Sequence, residues 1–163
     1  MIKTFGDRET ELIYNQKYSR KLPNEIQKRA LVKLMLIEAA DSEQDLKTPP
    51  ANRLEKLKGD RSDMDKMIDT PQIGEILREE FLEPLNISAY QLAKEIHVPS
   101  SRILEILHNQ RRITVETGLR LAKFFGTSEK FFVNLQADID IRNEKSRHPN
   151  ALKDIRTLQA SVS

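Results

Sequence analysis

The chain has 163 residues and a mass of 18.9 kDa, which suits one domain or two small ones and excludes a large enzyme. Its 27 Lys and Arg nearly balance its 25 Asp and Glu, so the formal charge of +2 excludes a strong overall field toward nucleic acid or membrane. The absence of cysteine excludes disulfides, thiolate zinc sites and cysteine nucleophiles, and it is compatible with a reducing compartment.

No membrane-spanning or export segment is expected. The longest apolar stretch, residues 30–40, is broken by Lys33 and Glu38 and is far shorter than the roughly 20 residues that cross a bilayer. Residues 1–11 contain acids where a signal peptide needs an apolar core. We therefore expect a soluble chain of the cytoplasm.

The N-terminal part predicts a short strand followed by a pair of helices. Residues 2–5 favour the strand, and apolar residues at three- and four-residue spacing predict helices over 9–18 and 23–40. Residues 41–66 are polar and show little periodicity, so they predict a linker or an exposed arm. The charge run at 52–66 leaves a basic RNA-binding patch open as an alternative to a solvated arm.

From residue 67 onward the pattern changes to five short amphipathic helices. They are predicted over 72–82, 89–96, 100–109, 114–126 and a segment that starts at a Thr127 or Ser128 cap. Ser88, with Gln91 three residues later, predicts a capping box, and Thr114 predicts another side-chain cap. Residues 142–163 fit either a last amphipathic helix or a frayed tail.

The second and third of these helices fit a helix-turn-helix. Ala93 supplies the small residue that a close helix contact needs, and His97 occupies the turn position where the backbone is left-handed. Ser100, Ser101 and Arg102 then point outward at the end of the recognition helix that enters the major groove. An arginine there can bind guanine in a bidentate manner, and serine hydroxyls can bond base edges or phosphate.

Charge is clustered around this predicted motif. Residues 94–130 contain seven Lys or Arg against four Asp or Glu, whereas residues 67–93 contain one Arg against five Asp or Glu. The loop 109–112 (Asn-Gln-Arg-Arg) follows the recognition helix, where basic side chains reach phosphate without reading sequence. The basic segment therefore predicts a local DNA-binding surface.

Several residues also have a simpler interpretation. Ser100 and Ser101 fit equally well as ordinary first-turn residues of a helix. The histidines at 97, 108 and 148 are too scattered for a zinc site, so no metal is expected. The phenylalanines at 124, 125, 131 and 132 fit a core or a dimer interface, and no cofactor site is expected because no glycine-rich loop accompanies them.

The segments GEILREEFLEPL, VPSSRI, RRIT and LRLAKFFGTSEKFFVNLQ make residues 71–136 closely similar to HigA-type antitoxins, a branch of the Xre-like helix-turn-helix family. The resemblance implies a mainly α, lambda-repressor-like domain of five helices. It also implies a homodimeric repressor that binds a palindromic operator in double-stranded DNA and neutralises a HigB-type toxin. The implied base contacts are Ser100, Ser101 and Arg102, and the implied backbone contacts are Gln91, Asn109, Arg111 and Arg112.

The N-terminal part resembles a different family. MIKTF, a helical pair and LEKLKGDR are similar to the first half of a HigB toxin, a RelE-like ribosome-dependent mRNA endonuclease. The similarity stops at Arg61, where SDMDKMIDTP begins instead of the strand-rich half that carries catalytic residues in that family. Glu55 stands where the family has a histidine, and Lys58 and Arg61 alone do not make a nuclease.

These resemblances predict a truncated toxin remnant and linker at 1–63, a DNA-binding domain at 64–141 and a C-terminal helix or tail at 142–163. We expect an antitoxin-type repressor rather than an enzyme, with no catalytic residues. Residual ribosome or mRNA-associated activity remains one alternative, and an interaction or toxin-neutralising module without DNA binding is another. Met64 or Met67 fits the relic start codon of a separate antitoxin.

Overall fold

The computed structural model describes residues 2–48, 68–153 and 155–156, and within them every regular element is a helix. The eight helices are α1 (Arg8–Tyr14), α2 (Asn24–Ala39), α3 (Glu43–Lys47), α4 (Ile73–Ile76, Leu77–Leu82 and Glu83–Leu85, continuous), α5 (Ala89–Glu95), α6 (Ser100–Leu107), α7 (Val115–Phe125) and α8 (Phe131–Arg147). The mainly α fold, with five helices in its C-terminal part, is thus confirmed.

The predicted strand over residues 2–5 is wrong. These residues are not helical, but the described part of the chain offers them no strand partner. The backbone N–H of Ile2 instead donates to Glu38 Oε2 on α2 at 2.8 Å. A strand needs a ladder of neighbouring backbone groups, and here the backbone N–H of Ile2 is bonded to a side chain of α2 instead.

Helix α1 is shorter than the predicted 9–18. Its start is fixed by Asp7, whose Oδ1 accepts the Thr10 N–H at 2.9 Å. Its end is fixed by Gln16, which has a left-handed φ of 58° and donates its side-chain amide to the Ile68 carbonyl at 2.9 Å. A partner 52 residues away therefore ends the helix, and no local pattern could show it.

The segment predicted as a linker begins with helix α3. The Ser42 and Asp45 side chains form a capping box at its start. The remainder, including the charge run at 52–66 and the candidate residues Glu55, Lys58 and Arg61, lies outside the described residues.

Helix α4 continues through Pro84, whereas the sequence predicted its end at residue 82. Its middle turns are π-helical, with the Glu83 N–H bonded to the Arg78 carbonyl five residues earlier. Proline lacks an N–H and crowds the carbonyl four residues before it, and a widened turn accommodates both. The helix ends at Asn86, which takes a left-handed φ of 53°.

Helix α8 lacks the predicted side-chain cap from Thr127 or Ser128. Its N-cap residue is Lys130, and no side chain there accepts a helix N–H. Both hydrogen-bond donors of Ser128 are bonded instead to Asp45 on α3, the backbone N–H at 2.6 Å and Oγ at 2.7 Å. Ser128 therefore joins two parts of the chain rather than starting a helix.

One apolar core runs through both parts of the chain. The helix pairs α5–α6, α2–α8 and α7–α8 make its main contacts. Its largest fully buried side chains are Phe81, Phe131, Phe132, Ile13, Leu31, Met35, Ile76, Leu77, Leu92, Ile103, Ile106 and Leu121. Since Ile13, Leu31 and Met35 belong to this cluster, the N-terminal helices share one core with the five C-terminal helices.

The sequence predicts a boundary between residues 141 and 142, where a C-terminal helix or tail begins. Helix α8 continues without a break across this position, and turns follow it as far as residue 153.

Among the described residues, no helix is both long and apolar enough to cross a membrane.

Candidate nucleic-acid interface

Helices α5 and α6 form the predicted helix-turn-helix. Ser88 caps α5 by accepting the Gln91 N–H at 3.1 Å, and Ala93 is only 2% exposed where the two helices meet. His97 has a φ of 55°, which is the left-handed turn conformation expected from the sequence. The two helices share buried apolar side chains, among them Leu92, Ile96 and Ile103.

The N-terminal end of α6 presents the three residues predicted to meet base edges. Ser101 is exposed, and Ser100 and Arg102 are partly exposed. Pro99 precedes the helix, and no side chain there caps its first N–H groups. This end therefore combines two hydroxyls, one guanidinium and a helix terminus that favours anions.

Two ion pairs and a hydrogen bond link Arg102 to the turn of the helix-turn-helix. Its Nη1 lies 3.1 Å from Glu116 Oε2, and Glu116 Oε1 lies 3.2 Å from Arg120 Nε. Arg120 Nη1 in turn donates to the Ile96 carbonyl at 3.0 Å. The direction of the Arg102 side chain is thus tied to the backbone that sets the angle between α5 and α6.

The two arginines of the loop after α6 are also paired with acids. Arg111 Nη1 lies 2.6 Å from Glu105 Oε2, and Arg112 contacts Asp140 on α8. Arg111 and Arg112 have side-chain exposures of 48% and 74%, so both can reach a ligand from solvent. A cleft of about 330 Å³ lies between this loop and α8.

Asn109 and Gln91 have different surroundings. Asn109 has a left-handed φ of 58°, and its Oδ1 accepts the Gly74 N–H at 2.8 Å near the start of α4. The side-chain oxygen of Asn109 is therefore already hydrogen-bonded within the protein. Gln91 is exposed in the first turn of α5, on the helix that precedes the turn. The structure thus brings the predicted residues to α5, α6 and the following loop, and DNA contact by each remains a prediction.

Sequence reasoning missed the acids that hold these arginines. Glu116 and Arg120 are four residues apart in α7, a spacing that pairs opposite charges on a helix, and that signal was present. The contact from Arg102 to Glu116 and that from Arg112 to Asp140 span 14 and 28 residues and had no local signal. Within the part of the chain that the structure describes, no group of three His, Asp or Glu side chains could hold a metal ion.

Two family models match different parts of the chain. Residues 3–68 match the family described as RelE-like toxin of type II toxin-antitoxin system HigB, and residues 78–132 match the helix-turn-helix family. Virulence-associated protein I of Dichelobacter nodosus is 49% identical over 69 residues, which are 42% of this chain and 64% of that protein. This chain thus spans less than two thirds of that relative's length.

The C-terminal part of the chain is also similar to solved structures of HigA antitoxins. An addiction module antidote protein of the HigA family from Coxiella burnetii is 39% identical, with a TM-score of 0.52, and the match covers 56% of this chain and 100% of that chain. The chain belongs to the HigA family of helix-turn-helix proteins. Antitoxin HigA of Pseudomonas aeruginosa, solved with the higBA promoter, is 30% identical with a TM-score of 0.52, and the match again covers 56% of this chain and 100% of that chain. The predicted fusion of a HigB-like segment to a HigA-like domain is confirmed.

Proposed function

We propose that the chain is a sequence-specific transcriptional repressor of the antitoxin type that binds a palindromic operator in its own promoter as a homodimer. The observation that carries this proposal is the exposed N-terminal end of α6, where Ser100, Ser101 and Arg102 lie in a helix-turn-helix frame. A HigA relative of the same fold was solved with its promoter DNA, which supports a DNA ligand for this end.

The loop after α6 supports the same assignment. Arg111 and Arg112 lie beside the recognition helix, where guanidinium groups neutralise phosphates and supply affinity that does not depend on sequence. A two-fold symmetric dimer presents two α6 helices, so its half-sites should be about one helical turn of DNA apart. Such a role places the chain in the cytoplasm.

The decisive experiment is a salt series of DNA binding by the full chain. Fluorescence anisotropy would compare a duplex from the upstream region of its own gene with a scrambled duplex of equal length. A repressor binds the first more tightly by about 10³-fold or more, with a steep decrease in affinity as salt rises. Weak binding that ignores sequence would instead favour an interaction or toxin-neutralising module, with the helix-turn-helix as a scaffold.

We also infer that the chain is not a ribonuclease, although residues 3–68 match a toxin family. The HigB-like helices bury Leu31 and Met35 in the core shared with the HigA-like domain. The described residues also contain no strand, whereas the strand-rich half is the part that carries the catalytic residues in the toxin family. Incubating the full chain with translating ribosomes should leave the mRNA intact, and specific cleavage would establish the enzyme alternative.

A further inference from the structure

The HigB-like segment is attached to the HigA-like domain by an apolar contact. Helix α2 packs along α8, and Leu31 and Met35 of α2 have no exposed surface. They belong to the same buried cluster as Leu135 and Ile139 of α8. The contact is therefore part of a core rather than a loose surface association.

Opposite charges flank this apolar contact. Lys33 of α2 pairs with Glu80 of α4, whose side chain is only 12% exposed. Lys28, one and a half turns earlier, lies 3.4 Å from Glu75 of α4. Two lysines of α2 thus face two glutamates of α4, so the two helices are complementary in charge at this contact.

Polar contacts hold the segment at two further places. On α3, the Asp45 carboxylate has no exposed surface and accepts bonds from the Ser128 N–H and Oγ. At the end of α1, Arg142 Nη1 donates to the Tyr14 carbonyl at 2.7 Å, and its guanidinium lies 4.7 Å from the Tyr14 ring centroid. These contacts set one position and one orientation for the helical pair.

We propose that the face formed by α4 and α8 is a docking surface for a HigB-like helical hairpin, and that residues 2–48 occupy it within the same chain. The intact protein therefore excludes a second HigB-like polypeptide from this face. Residues 2–48 are joined covalently to this face, and the effective concentration of such a joined segment reaches about millimolar for short linkers. A separate HigB-like polypeptide competes for the face at a lower concentration. Polar contacts of residues 2–48 reach α4, residues 68–70 and residues 128–142. The proposed DNA-binding residues lie on α5, α6 and the loop after it.

The first test converts the contact within one chain into a contact between two pieces. A protease recognition sequence is inserted after residue 58, the full chain is purified, and it is then cut. Co-elution of the two pieces on size exclusion at about 1 μM is expected, because the core and the ion pairs remain. Separation of the pieces would overturn the proposal.

Charge exchange tests whether the docking is specific. Lys33→Glu in the cut protein should weaken association by about tenfold or more, since it replaces attraction to Glu80 with repulsion. The double exchange Lys33→Glu with Glu80→Lys should restore most of the affinity, which a general loss of folding would not do. Lys17→Glu, on the exposed surface of the same segment, is the matched control. Failure of the double exchange to restore binding would contradict a specific surface.

Uptake of a hairpin from solution tests occupation of the face. Because the chain has no cysteine, a Lys3→Cys variant carries a single dye on the HigB-like piece. When cut, labelled protein is mixed with cut, unlabelled protein, the labelled HigB-like piece should move to the unlabelled protein. Intact, unlabelled protein should take up at least tenfold less of the labelled piece. Equal uptake by intact and cut protein would show that the face is not filled within the chain. These readouts contain no DNA, so failure of operator binding would be a separate result.

Discussion

Each arginine proposed to contact DNA faces a carboxylate in the free chain. Arg102 has Glu116, Arg111 has Glu105, and Arg112 has Asp140. DNA phosphates must compete with these acids for the guanidinium groups, and the acids themselves repel the duplex. Exposed pairs of this kind are worth about 0–1 kcal/mol, so DNA can displace them at small cost.

Glu116→Gln should separate these two effects, because the amide keeps the shape and removes the charge. Affinity for scrambled DNA is expected to rise several-fold, since one repulsive charge is lost near the phosphates. The preference for operator over scrambled DNA should fall, because Arg102 loses the group that fixes its direction. Anisotropy titrations of both duplexes measure this, with Glu129→Gln at an exposed turn as control. An unchanged preference would show that Glu116 does not position Arg102.

Arg102→Ala and Arg112→Ala should have different signatures. Loss of Arg102 should cost about 1–3 kcal/mol on the operator and little on scrambled DNA, because it removes a base contact. Loss of Arg112 should weaken both duplexes alike and reduce the salt slope by about one, because it removes a phosphate contact. Salt series on both variants decide the assignment. Wild-type operator affinity in both would remove these residues from the site.

At the scale of helices, two glycines allow close approaches that larger residues would prevent. A Cβ on Gly74 of α4 would lie 2.5 Å from the Ile106 carbonyl oxygen and 2.6 Å from that of Leu107. A Cβ on Gly118 of α7 would lie 2.9 Å from Val133 Cγ2, which is the end of a side chain. Backbone cannot yield as a side chain can, so the two positions differ in tolerance.

Gly74→Ala should therefore lower the free energy of unfolding by about 1–3 kcal/mol, through overpacking of α4 against α6. Gly118→Ala should change it by less than about 1 kcal/mol, because a small shift of Val133 is offset by the gain in helix propensity. Urea unfolding of both variants tests this. Equal losses at the two positions would contradict the distinction between backbone and side-chain neighbours.

The sequence predicted those elements whose signals are local. Ser88, Thr114 and Gly126 mark helix ends through their own side chains or backbone preference, and the structure uses all three in that way. His97 was placed in the left-handed turn by the motif frame. It follows that the five-helix part and its recognition helix could be predicted without structural information.

The failures involve partners that are distant in sequence. Ser128 looks like a helix cap but bonds to Asp45, which is 83 residues away. Residues 2–5 look like a strand but have no strand to pair with among the described residues. The acids that hold Arg102 and Arg112 could not be assigned either, because tertiary packing alone selects one carboxylate from the many in the chain.

At the scale of the whole molecule, Asp45 connects α3 to the turn before α8. Burial raises the pKa of its carboxyl, but hydrogen bonds from Ser128, Asp41 and Ser42 outweigh that effect, so its pKa lies below the usual 3.8. A group whose pKa is lower in the folded state stabilises the fold above its unfolded pKa. That stabilisation is lost as the pH falls through the folded pKa.

Asp45→Asn should accordingly destabilise the protein at pH 7, by about 1–3 kcal/mol, because buried donors lose a charged acceptor. The difference from wild type should shrink below about pH 4, where the wild-type carboxyl becomes protonated. Urea unfolding at pH 7, 5 and 3 gives both curves. A difference that stays constant across this range would show that the charge of Asp45 does not contribute.

A chain that begins at Met64 should be less stable than the full chain or should self-associate. It lacks the helices that cover part of the shared core, and each 100 Å² of apolar surface newly exposed costs about 2.5 kcal/mol. Thermal unfolding and sedimentation measure the two outcomes. Unchanged stability as a monomer would leave the N-terminal helices without a structural role, and a short product of this size on a blot would indicate an internal start.

The covalent link between the HigB-like helices and the HigA-like domain also fixes their stoichiometry. One copy of the hairpin is made and degraded with each copy of the recognition helix, at any level of expression. The occupancy of an operator by this protein would then depend on its total concentration, and not on the ratio of two separately synthesised products.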